Sequence, residues 1–156
     1  MEPLEALNAV IADMREHHIT GDGSGLFTAI RRVDLLCHLA ARMAADTGYR
    51  LVPGRPGARA RHSADTLGQA TGHIGRAVAH YTQALAPLVA LAKPDAQTTI
   101  QQQFHAIDHH SRLRMHLDDA GQAMAAAHAS LAGYHRPASA RKPALPLVIT
   151  PAPRPR

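Results

Sequence analysis

The chain has 156 residues, 46% of them apolar but only 3% aromatic, with 17 Lys and Arg against 12 Asp and Glu and a single cysteine. That length fits one domain, a lone cysteine forms no intramolecular disulfide and agrees with a reducing compartment, and no apolar run nears the roughly 18–20 residues that span a bilayer. Glu2, Glu5 and Asp13 stand where a secretory signal carries positive charge, so a cytoplasmic location is expected.

Thirty-one alanines, no Trp and few alternating β-branched runs point to an all-α fold with a core of aliphatic and small side chains. The expected architecture is a bundle of about four helices over residues 1–135, built on a long antiparallel hairpin of the third and fourth helices. A disordered basic tail follows over residues 136–156. In the first helix, residues 3–18, Leu4, Leu7, Val10, Ile11 and Met14 recur at three- and four-residue spacing, one apolar stripe. The glycine-rich stretch at residues 20–25 ends it, and Ser24 or Asp22 can cap the second helix, residues 25–46. That helix is expected to bury Phe27, Ile30, Val33, Cys37 and Ala40 or Ala41, with Leu26, Leu36 and Met43 beside them. On this phase Cys37 is a buried, inert thiol, and Gly48 takes the left-handed cap position.

Residues 47–62 read as a linker broken by Pro53, Gly54, Pro56 and Gly57 and charged by Arg50, Arg55, Arg59 and Arg61. Ser63 is the expected cap of the third helix, residues 63–93, where Leu67, Ile74, Tyr81 and Leu88 repeat every seven residues in a coiled-coil-like seam. Pro87 removes a backbone donor and predicts a kink or break one turn upstream. Asp95 is the expected cap of the fourth helix, residues 95–132, which Gly133 ends. Its expected seam is Ile100, Phe104, Ile107, Leu117, Met124 and Leu131, interrupted by Arg114.

A hairpin centred between Pro94 and Asp95 places opposite each other residues whose numbers sum to about 189. Leu85 then meets Phe104 and Gly68 meets Gly121. Each of Gly68, Gly72 and Gly75 costs a helix about 1 kcal/mol relative to Ala, so close packing against Gly121, Ala125 and Ala126 is the expected compensation. The same register sets His80 against His109 and His73 against His116, while His105 and His109 share the i, i+4 spacing that can chelate a metal. The two long helices contain no glutamate, unlike a di-metal carboxylate bundle, so a His-rich metal site is only a remote alternative and no cofactor is expected.

Gly21-x-Gly23-x-Gly25 follows no strand and includes Asp22, which repels anions, so it reads as a turn and not a phosphate cradle. No Gly-x-Ser-x-Gly, Cys-x-x-Cys or His-Glu-x-x-His occurs, and no enzyme activity is expected. Charge is unevenly placed. The linker and tail together carry +9 against −4 for the rest, with Arg136, Arg141, Lys142, Arg154 and Arg156 set among six prolines in the tail. Such a segment builds no core, although its stretch from Leu145 to Ile149 can dock on a surface. The leading expectation is a non-catalytic helical interaction or assembly protein that self-associates or binds another helical protein. The alternative is a nucleic-acid-associated accessory protein whose linker and tail arginines contact phosphates without reading sequence.

Overall fold

The computed structural model describes residues 2–51, 57–93 and 99–134. These residues form four helices and no strand: α1 (Pro3–Glu16), α2 (Gly23–Leu51), α3 (Ala58–Leu91) and α4 (Ile100–Tyr134). The helices form a ring in chain order, α1 on α2, α2 on α3, α3 on α4, and α4 closing on α1.

Local chemistry accounts for most of the ends. Pro3 opens α1, where its missing donor costs nothing, and the Glu2 N–H donates to Glu5 Oε2 at 3.1 Å. Asp22 caps α2, its Oδ1 accepting from the Gly25 N–H at 2.9 Å and from the Thr20 hydroxyl at 2.7 Å. Both donors hold the Asp22 carboxyl below the usual carboxylate range, the Thr20 hydroxyl contributing most. Gly25 is buried, and a Cβ there would run into the Thr20 carbonyl. Gly21 sits against α4, where a Cβ would come within 2.6 Å of the His110 ring.

The core has two parts. In the larger, Leu7 of α1 meets Leu36 and Met43 of α2, Ile74 and Tyr81 of α3, and Met124 and Leu131 of α4. The smaller gathers Ala29, Ala84, Leu88 and Leu113 and contains no residue of α1. At 14 residues α1 is less than half as long as α3 or α4, so it completes the bundle at one end only. The other end, made by the start of α2, the end of α3 and the start of α4, is a three-helix section.

Several boundaries differ from expectation. Residues 47–51 and 58–62 are helical instead of linker. Helix α2 runs through Gly48, because its last turns pair with the first turns of α3: Arg50 Nη1 donates to Ser63 Oγ at 2.9 Å. Ser63 is therefore a buried interior residue and not a cap, and the Gly57 carbonyl starts α3. Helix α3 runs from Ala58 to Leu91 with a buried Pro87 inside it, so it does not break there. Thr99 caps α4: its N–H donates to Gln102 Oε1 at 3.0 Å and its Oγ1 accepts from the Gln102 N–H at 3.2 Å, a reciprocal capping box. Asp95, the expected cap, lies outside the described residues, and α4 passes through Gly133 to Tyr134.

The inward faces of α2 and α4 differ as well. Helix α2 buries Ala29, Arg32, Leu36, Leu39 and Met43, leaving Phe27, Ile30 and Cys37 exposed. Helix α4 buries Ala106, Leu113, Ala120, Ala123, Met124, Ala127 and Leu131, with Leu117 partly buried, while Ile100, Phe104 and Ile107 face outward. Alanines carry that seam. Opposite them α3 supplies larger residues, Leu67, Ile74, Tyr81 and Leu88, all buried, so large meets small across the interface. His80 consequently stands across from His116, their numbers summing to 196 and not 189, a slip of one heptad. Leu85 is partly buried away from the exposed Phe104.

Candidate interaction surface

The outer face of α4 carries an uncovered apolar row. Ile100, Phe104 and Ile107 are 73%, 66% and 61% exposed and Met115 is 51% exposed. Their offsets of 4, 7 and 15 residues keep them on one side of a helix. Because the opposite side of α4 packs on α3 and α1, this helix is apolar on two faces. Phe27 and Ile30 on α2 and Val89 on α3 are exposed at the same three-helix end.

A second uncovered face lies on α3. Gly68, Gly72, Gly75, Ala79 and Ala86 follow one another at steps of four, three, four and seven residues and are all exposed. The expected packing of Gly68 and Gly72 against Gly121 does not occur: a Cβ on any of the three, or on Gly75, would meet open space. Gly121 instead floors a groove of about 630 Å³ between α1 and α4, with Ile11, Met14, Met124 and Ala125.

Of the predicted cationic residues, the two whose side chains are described, Arg50 and Arg61, line different recesses. Arg50 is half-buried and bonded to Ser63, and it lines a recess with the acidic Glu2 and Asp46. Arg61 is exposed on α3 and lines a different recess, beside Asp65. Arg59 lies in the first turn of α3. Arg55, Arg136, Arg141, Lys142, Arg154 and Arg156 lie outside the described residues, as does the whole of the expected tail.

The buried cation is one that the sequence did not single out. Arg32, 5% exposed, donates to the carbonyls of Met14, at 3.2 Å, and of His17 at the end of α1, and its guanidinium carbon lies 5.9 Å from the Tyr81 ring centre. Those carbonyls form the negative end of the α1 dipole, which a cation stabilises. Burial pushes the Tyr81 phenol up, with Arg32 opposing that shift.

Of the histidines considered as metal ligands, His73 lies beside the Arg76 guanidinium. His105 is exposed and His109 is half-buried, near Leu91 and Lys93. His80 and His116 meet between α3 and α4 with ring centres 6.3 Å apart, and Asp119 Oδ2 lies 3.8 Å from His80 Nδ1. The Nδ1 atoms of His80 and His116 are buried without a hydrogen-bond partner, a condition that costs about 1–3 kcal/mol per group. Among the described residues no three His, Cys, Asp or Glu side chains form a ready metal cluster, and no helix is long and apolar enough to cross a membrane.

Comparison with protein-family models, curated proteins and solved structures finds no match to this chain.

Proposed function

We propose that this protein is a non-catalytic helical assembly protein that self-associates through the outer face of α4. The observation that carries this reading is the uncovered row of Ile100, Phe104, Ile107 and Met115 on a helix whose other face is already packed. An amphipathic helix needs one apolar stripe to join its own bundle, so a second stripe is surplus to folding. Apolar rows at i, i+4 and i+7 are the anchors by which one helix seats against another. Phe27, Ile30 and Val89 are also exposed towards that end, and exposed apolar surface favours association.

The second reading, phosphate contact by the basic linker and tail, rests on their concentration of positive charge in the sequence and predicts steep salt dependence. Light scattering after size exclusion, on the full chain at low and moderate salt with and without duplex DNA, separates the two. A dimer or larger assembly formed without DNA and persisting at moderate salt supports self-association. A monomer that enlarges only with DNA and only at low salt supports phosphate contact.

A further inference from the structure

The geometry points to a transition-metal site between α3 and α4, where His80 and His116 ligate one divalent ion through their inward nitrogens. Each ring buries an Nδ1 that no protein group satisfies. Two such atoms on neighbouring, tilted rings leave a place for a third party, since buried polar atoms in folded proteins find a protein group, a water or an ion. In the tautomer with the proton on Nε2, each Nδ1 presents its lone pair.

Two imidazoles bound to one ion at about 2.1 Å place their ring centres roughly 5–6 Å apart. The observed 6.3 Å is closed to that spacing by small side-chain rotations. Asp119 is one helical turn from His116 on α4, and its Oδ2 is 3.8 Å from His80 Nδ1. That is too long for a hydrogen bond, but it sets a negative charge beside the ligating nitrogen, which favours a cation there. The side chain of His80 is 29% exposed although its Nδ1 is buried, so rotation of that side chain is what admits the ion. Imidazole ligands suit Zn²⁺, Ni²⁺ and Cu²⁺ and not the oxygen-seeking Mg²⁺ or Ca²⁺. Because its two ligands come from different helices, the ion ties α3 to α4.

The competing place for such an ion is the i, i+4 pair His105 and His109, which bridges nothing between helices. Calorimetric titration of the full chain with Zn²⁺ alone, paired with thermal melts followed by circular dichroism, distinguishes them. Wild type is expected to bind one ion per chain and to melt at higher temperature with Zn²⁺. His80→Gln and His116→Gln each lower the affinity about tenfold or more and remove the Zn²⁺-dependent rise, Asp119→Asn weakens binding several-fold, and His105→Gln leaves both readouts unchanged. Ring ¹⁵N resonances of the unaltered chain supply a check that needs no variant, with His80 and His116 the rings that shift. The proposal is overturned by an absence of binding at millimolar Zn²⁺, by loss of binding in His105→Gln, or by undiminished binding in His80→Gln and His116→Gln.

Discussion

Arg32 shows how one side chain can decide the placement of an element. Helix α1 fully buries only Ala6 and Leu7, so the bonds from Arg32 to the Met14 and His17 carbonyls form a large part of its anchorage. Arg32→Met keeps much of the packing but leaves those carbonyls unpaired, an expected loss of about 1–3 kcal/mol. Hydrogen exchange should show the amides of α1 losing protection before those of α3, and equal protection in variant and wild type would contradict the role. The glycines give opposite expectations according to their surroundings. Gly25→Ala forces a methyl into the Thr20 carbonyl and should destabilise by about 1–3 kcal/mol. Gly72→Ala, with open space around it, should raise stability by about 0.5–1 kcal/mol, as read from urea midpoints. Asp22 supplies a pH dependence. Its carboxyl is held below the usual range, so its contribution is complete above the unfolded carboxylate pKa of about 3.9 and is lost as pH falls through the lower folded value. The melting temperatures of wild type and Asp22→Ala should therefore converge as pH falls from 6 towards 2, and a constant gap would sink the assignment.

Among the elements, α3 was the most legible in the sequence. Leu67, Ile74, Tyr81 and Leu88 are large, repeat every seven residues and are all buried. Helix α4 is legible in its second half only: Leu117, Met124 and Leu131 of the expected seam face inward, while Ile100, Phe104 and Ile107 sit outside. In the first half Ala106 and Leu113 take the inward positions, and a pattern weighted by side-chain size passes over the alanine. Helix α2 misleads similarly, since its inward face includes Arg32 and Ala29 while Phe27, Ile30 and Cys37 lie outside. The residues between Gly48 and Ser63 look like linker because glycine and arginine punctuate them, yet pairing of α2 with α3 makes both ends helical. The pairing of His80 with His116 was out of reach, because it follows from a register that one heptad of slip changes. The α4 cap was expected at Asp95, whereas Thr99 and Gln102, which have capping-box spacing, supply it. Thr99→Ala should cost about 1 kcal/mol and raise exchange in the first turn of α4. Unchanged exchange there would show that the cap contributes nothing.

At the scale of the whole molecule, the decisive feature is unequal length. Helix α1 finishes the bundle at one end, and at the other α2, α3 and α4 pack around the small cluster of Ala29, Ala84, Leu88 and Leu113. The exposed Phe27, Ile30, Val89, Phe104 and Ile107 belong to that less complete end. Covering the α4 row with a second copy removes apolar area from water at roughly 25 cal/mol per Å², less the cost of immobilising the partner. The expected all-α bundle with a long hairpin is what the molecule has, while the proposed assembly face rests on residues that the sequence pattern assigns to the interior.

Sedimentation velocity on wild type, on the double variant Phe104→Glu with Ile107→Glu, and on the control Gln103→Glu tests this face most directly. Both substituted apolar residues are mostly exposed, so helix content should stay unchanged by circular dichroism. Wild type and control are expected to associate as concentration rises, with the double variant remaining a monomer at about 100-fold the wild-type midpoint, the factor that removal of roughly 2.7 kcal/mol corresponds to. A wild type that stays monomeric throughout, or a double variant that associates as readily as wild type, would contradict assembly through α4.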